Sequence, residues 1–210
     1  MKLVEVTEDI IRLIFETPHE QAFSMYRIQK FCEIDVDPEI IKANPAKYLA
    51  FDPHEIVLGH GLPGAEVKQF FREFTGSKYP LTYEETIIKL KLHKWLKRRK
   101  RWYLIVAAMD STAYHHELSH ALYYLDKNYK KEMNQLFLQI PKEYRLTVFK
   151  ELTDEMEYRR GILRDEAIAY LSTGTLHEIV EMFGKPGDAW NFIETLQVRF
   201  LQTLKNYGIG

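Results

Sequence analysis

Only one cysteine, Cys32, occurs among the 210 residues, so the chain can close no internal disulfide and is expected in a reducing compartment. Long apolar runs are missing too. The longest, Trp102 to Met109, falls far short of the about 20 residues that a membrane-spanning helix needs. Glu5, Glu8 and Asp9 break the apolar core that a secretory leader requires, and a cytoplasmic location is expected. Neither sign of charge is in excess: 29 Lys and Arg offset 30 Asp and Glu, leaving −1. Without a global field there is no general attraction for nucleic acid or an anionic membrane, and neither is expected as a partner. Repeats, low-complexity tracts and linkers are absent, which predicts a single domain over 1–210.

Helical punctuation dominates what is present. Pro63-Gly64 opens a stretch with Val67, Phe70, Phe71 and Phe74 at helical spacing, and Gly76 closes it. Thr82 with Glu85 three residues later forms a capping box for a helix through Trp95 and Leu96. Trp102 to Val106, aromatic and β-branched, predicts a strand, after which Asp110, Ser111 and Thr112 offer cap oxygens to another helix. Further helices are expected over Glu143 to Leu152, about Glu155 to Leu171, and Asp188 to about Asn206. Toward the start, a helix lies between Glu20 and Cys32, and the Pro-broken region from Asp37 to Pro53 suits short strands or turns. Gly59 to Gly64 is expected to be a connecting turn. The fold class this predicts is α+β, mostly helical, with a small sheet.

Within the helix after the strand stands Tyr114-His115-His116-Glu117-Leu118-Ser119-His120-Ala121-Leu122. Residues four apart on a helix lie about 40° apart around the axis and about 6 Å along it, so His116 and His120 share a face and can hold one ion. Glu117 stands about 100° round, where it can reach a water on that ion. His115 has Ser119 four residues on and is expected to pack or face solvent. Apart from the motif's own residues, the segment carries no charge, which suits a helix packed in a core.

His116-Glu117-Leu118-Ser119-His120, on an uncharged helix just after a strand, resembles the zincin superfamily of zinc metallopeptidases. The match covers a small part of the chain and points to no particular member. It implies one zinc ion per chain, a peptide or protein substrate, a zincin-like domain with its sheet beside the active-site helix, and a strand at Trp102 to Val106 that pairs with the substrate. A catalytic zinc takes three protein ligands and keeps a fourth position for water.

Three residues compete for the third place. Glu166 has Ile162, Leu163, Ala169 and Tyr170 three and four residues away, so it lies on the apolar face of its helix, and buried carboxylates are rare unless paired or metal-bound. That placement resembles the gluzincin branch, where a glutamate from a second helix completes the set, although Asp165 and Tyr170 stand where its best-known members have Asn and Asp. Asp126, six residues after His120, matches the metzincin position, but Tyr123 replaces the turn glycine needed there. Asp165 is the third, or else accepts a hydrogen bond from a ligand histidine.

The remaining features have plainer readings. Lys89 to Arg101 is a basic run expected to be a solvated helix face, with binding to an acidic partner or nucleic acid as the functional alternative. His177 and Glu181 are expected to be an ordinary helix pair. Tyr170 gains a role, donating to a developing oxyanion, only if Glu166 is the ligand. The leading expectation is a zinc-dependent metallopeptidase with ligands His116, His120 and Glu166 and with Glu117 as general base. Two alternatives use the same residues: a binding or regulatory module that keeps the scaffold without turnover, and a metal-free helical protein.

Overall fold

A computed structural model describes residues 1–33, 59–76, 80–107, 113–156, 158 and 161–209. The chain divides into two compact units, Met1–Tyr114 and His115–Gly210. The fold is α+β and mostly helical, with one four-stranded mixed sheet. Among the described residues no helix is long and apolar enough to cross a membrane. The region from Asp37 to Pro53 and the expected caps Asp110, Ser111 and Thr112 lie outside the described residues.

In the first unit, β1 (Lys2–Glu5) and β2 (Ile10–Ile14) form an antiparallel hairpin with Glu5 opposite Ile11. Thr7 Oγ1 accepts from the Ile10 amide at 3.1 Å, which fixes the turn. β3 (Gly59–Pro63) and β4 (Tyr103–Ala107) complete the sheet in the order β1-β2-β4-β3, with β2 parallel and β3 antiparallel to β4. All five β4 residues are buried, as expected for an interior strand.

Two expectations are corrected here. Gly59 to Gly64 is no connecting turn, because Gly59 to Pro63 pair with β4 as a strand and bury His60. Nor does β4 have an edge to offer a substrate peptide, since β2 and β3 occupy both of its sides.

Helices α1 (Pro18–Glu33), α2 (Gly64–Phe74) and α3 (Tyr83–Leu96) pack with this sheet around an aromatic core. Phe31 meets Phe70 and Phe74 edge-on at 5.6 and 5.8 Å between ring centroids. The Thr82–Glu85 capping box is formed in both directions, at 2.8 and 3.2 Å. The start of α2 is set by close approach: the Gly64 amide donates to the Trp102 carbonyl at 2.8 Å, and a Cβ on Gly64 would lie 2.3 Å from the buried Trp102 ring.

The second unit is helical: α4 (Ala113–Leu125, from His115 on), α5 (Lys127–Gln139), α6 (Lys142–Asp154), α7 (Leu163–Thr173), α8 (Leu176–Phe183) and α9 (Trp190–Asn206). The helix expected from about Glu155 begins only at Leu163. After α6 the chain turns back, with the Tyr158 amide donating to the Leu152 carbonyl at 2.9 Å. Gly161, the poorest helix former after proline, stands before the new start. α9 holds the other end of α7: Gln197 Nε2 donates to the carbonyls of Leu171 and Gly174 at 3.3 and 2.8 Å.

Gly64→Ala is expected to destabilise the chain by about 1–3 kcal/mol, the usual scale of overpacking against a rigid buried ring. Urea unfolding tests it; an unchanged midpoint would mean that Trp102 can move aside.

Candidate metal centre

Helix α4 presents His116 and His120 one turn apart, and their Nε2 atoms stand 3.1 Å from each other. Helix α7 brings Glu166 to the same point. Its Oε2 lies 3.6 Å from His116 Nε2 and 3.4 Å from His120 Nε2. These are contacts of distance without aligned hydrogen bonds, so Glu166 Oε2 is buried with its acceptor capacity unmet. The three residues form a group able to hold a metal ion.

The fit of an ion follows from the triangle's edges. Donors bonded at about 2.0–2.1 Å to a tetrahedral ion stand about 3.3–3.4 Å apart, and at right angles on an octahedral ion only about 2.9–3.0 Å. Edges of 3.1, 3.4 and 3.6 Å centre on the tetrahedral value. Two imidazoles and a carboxylate also suit zinc better than a hard cation such as calcium, which takes oxygen ligands.

Around this triangle the other sequence-derived candidates take distinct places. Asp165 Oδ1 stands 3.1 Å from His120 Nδ1, out of line for a hydrogen bond but close enough to orient the ring with Nε2 inward. Asp126 belongs elsewhere. It is the N-cap of α5, accepting from the Asn128 and Tyr129 amides at 2.8 and 3.1 Å, and Tyr207 donates to it at 3.1 Å. His115 is exposed, and His177 pairs with Glu181 at 3.4 Å on α8. Glu117 is 8 % exposed, a buried carboxylate directly after the first histidine.

Packing holds α4 at the required angle. Ser119, between the two histidines, places its Oγ 3.3 Å from both Tyr129 OH of α5 and Ser172 Oγ of α7, all three buried. A buried polar network of this kind tolerates few alternative registers. Tyr123 adds a second link by donating to Asn134 Oδ1 at 3.1 Å.

The electrostatics divide the two histidines. Burial lowers the His116 pKa, and the charge of His120 opposes a second proton there. His120 is also pushed down by burial, but Glu166 and Asp165 outweigh that and raise it well above the usual imidazole value. Burial works against the Glu166 carboxylate, yet His120 and His116 hold its pKa at about 2. These directions place a shared proton on His120 rather than on His116, beside an ionised Glu166.

Tyr158 was not legible as a neighbour of this group, whereas Tyr170 was. The Tyr170 ring lies 4.5 Å from the His116 ring, and its hydroxyl is 3.3 Å from that of Tyr158. Burial raises both phenols, and the charges of Glu166 and Glu117 raise them further, so both remain O–H donors. Tyr158 sits in the return after α6, where helical periodicity gives no clue to its neighbours. No protein-family model, curated protein or solved structure matches the chain.

Elemental analysis of protein purified without metal-affinity resin is expected to find about one zinc per chain, lost in His116→Ala, His120→Ala and Glu166→Ala. Asp126→Ala should keep the zinc and lose about 1 kcal/mol of stability with its helix cap. Retention by Glu166→Ala would remove it from the ligand set. Because zinc needs neutral imidazole, binding displaces the His120 proton. Affinity should then rise by about tenfold per pH unit and level off above the raised His120 pKa, measurable by competition with a chelator. Asp165→Asn should weaken binding about 10–100-fold; an unaltered affinity would deny it the orienting role.

Proposed function

We propose that this chain is a zinc-dependent hydrolase of gluzincin type that cleaves peptide bonds. The observation that carries the reading is the convergence of His116 Nε2, His120 Nε2 and Glu166 Oε2 within 3.6 Å of one another, beside the buried Glu117. A bound zinc ion supplies Lewis acidity, polarising a carbonyl and making water easier to deprotonate.

The chain's own groups supply the proton movements. Glu117 takes a proton from the attacking water as its oxygen bonds to the carbonyl carbon, and returns that proton to the nitrogen as the C–N bond breaks. The balance is one water added, giving a carboxylic acid and an amine. Tyr170, kept protonated beside His116, donates to the carbonyl oxygen as negative charge develops on it. Tyr158 positions Tyr170 through the contact of their hydroxyls. A cytoplasmic location belongs to the same proposal, resting on the single free cysteine Cys32.

Glu117→Gln is expected to retain zinc while turnover of a cleaved peptide falls by at least about 100-fold, the scale of a lost general base. Full turnover in that variant would remove Glu117 from its assigned step. A zinc-loaded chain inert toward a broad peptide library would favour a binding module that keeps the scaffold.

A further inference from the structure

The basic run of α3 and the residues that follow it divides into two faces. Lys94 pairs with Glu5 at 3.4 Å, Arg98 with Asp9 at 3.5 Å and Lys100 with Glu8 at 2.9 Å, so the β1–β2 hairpin answers these cations. Lys89 and Lys97 lie on another face. They border a cleft of about 540 Å³ walled by Phe74, Pro80, Leu81, Leu90 and Leu96. None of the described residues that line it is acidic. Lys89 Nζ is held at the rim by the uncharged Thr75 Oγ1 at 2.8 Å. Leu90, in the cleft wall, is 67 % exposed.

The volume falls within the roughly 300–1,000 Å³ of small-ligand clefts, and apolar walls with a few polar groups at the edge are what such clefts have in common. A peptide in this cleft would bring backbone N–H and C=O groups that need partners. Beyond the rim cations, the polar side chains of the described lining are the Thr75 and Thr86 hydroxyls and the His93 ring, whose Nδ1 is taken up by the Leu90 carbonyl at 2.9 Å. An alkyl chain needs no such partners, and two cations that face no carboxylate among the described lining residues call for an anionic head.

We propose that this cleft binds an anionic amphiphile of the fatty-acid class, with its alkyl chain along Leu90, Leu96 and Phe74 and its carboxylate at the rim supplied by Lys89 and Lys97. The site is independent of the metal centre and of the hydrolase reading. Occupancy requires no covalent step.

Calorimetric titration of the full chain with dodecanoate, below its micelle concentration, tests the assignment. Saturable binding of one molecule per chain is expected, at least about tenfold tighter than that of dodecyltrimethylammonium, which has the same tail and the opposite charge. The double variant Lys89→Glu/Lys97→Glu should reverse that order. Leu90→Asp should weaken both ligands by about tenfold or more through loss of apolar contact. Since Leu90 and Lys97 are exposed and Lys89 is partly so, these variants are expected to fold, which far-UV circular dichroism checks. Equal affinity for the two head groups would overturn the proposal, as would unsaturable binding of dodecanoate. A response to an acidic amphipathic peptide but not to dodecanoate would overturn it in favour of a protein partner.

Discussion

Two carboxylates, Glu166 and Asp165, stand against the imidazoles of His116 and His120, and the second unit is organised around that contact. A buried anion without compensation is costly on a scale of several kcal/mol, so the buried Glu166 favours a positive charge at His120 or between the ring nitrogens, and the partly exposed Asp165 adds to that preference. A proton on His120 would satisfy this, and so would a metal ion held by the group. The late start of α7 contributes as well: beginning at Leu163, it places Asp165 and Glu166 in its first turn, where the helix dipole favours negative charge. Had the helix begun near Glu155, Glu166 would stand in mid-helix without that help.

What the sequence made legible was whatever is written at helical spacing. His116 and His120, Thr82 and Glu85, and the apolar neighbours of Glu166 are three or four residues apart, and local geometry alone sets their relations. The misread elements depend on partners far along the chain. Gly59 to Pro63 contains little that favours a strand, and it becomes one by pairing with β4. The hairpin at the start was hidden by acids around its turn, although Ile10, Ile11 and Leu13 are buried core residues. Ile162 provides no side-chain cap for α7, so apart from Gly161 no signal marks where that helix begins. Asp126 was legible as an acid near the histidines, but its work in capping α5 was masked by the apolar Tyr123-Tyr124-Leu125 before it.

The basic run shows the same division between composition and arrangement. As a string of cations it reads as one solvated surface, and much of it does serve as a partner to the hairpin acids. Its helical twist turns Lys89 and Lys97 away from those acids and over an apolar cleft. Net charge, near zero for the chain, gave no hint of this separation.

The buried contacts of Ser119 with Tyr129 and Ser172, together with the hold of Gln197 on the end of α7, fix both ligand-bearing helices through protein atoms alone. The conformational entropy of bringing His120 and Glu166 together is thus lost during folding, ahead of any encounter with an ion. Such a group is preorganised: under the proposed function an ion would leave and return without the chain unfolding, unlike a zinc finger, whose fold is made by its metal. Metal bound there would act on stability by mass action, adding about 1.4 kcal/mol for each tenfold rise in free ion above the dissociation constant.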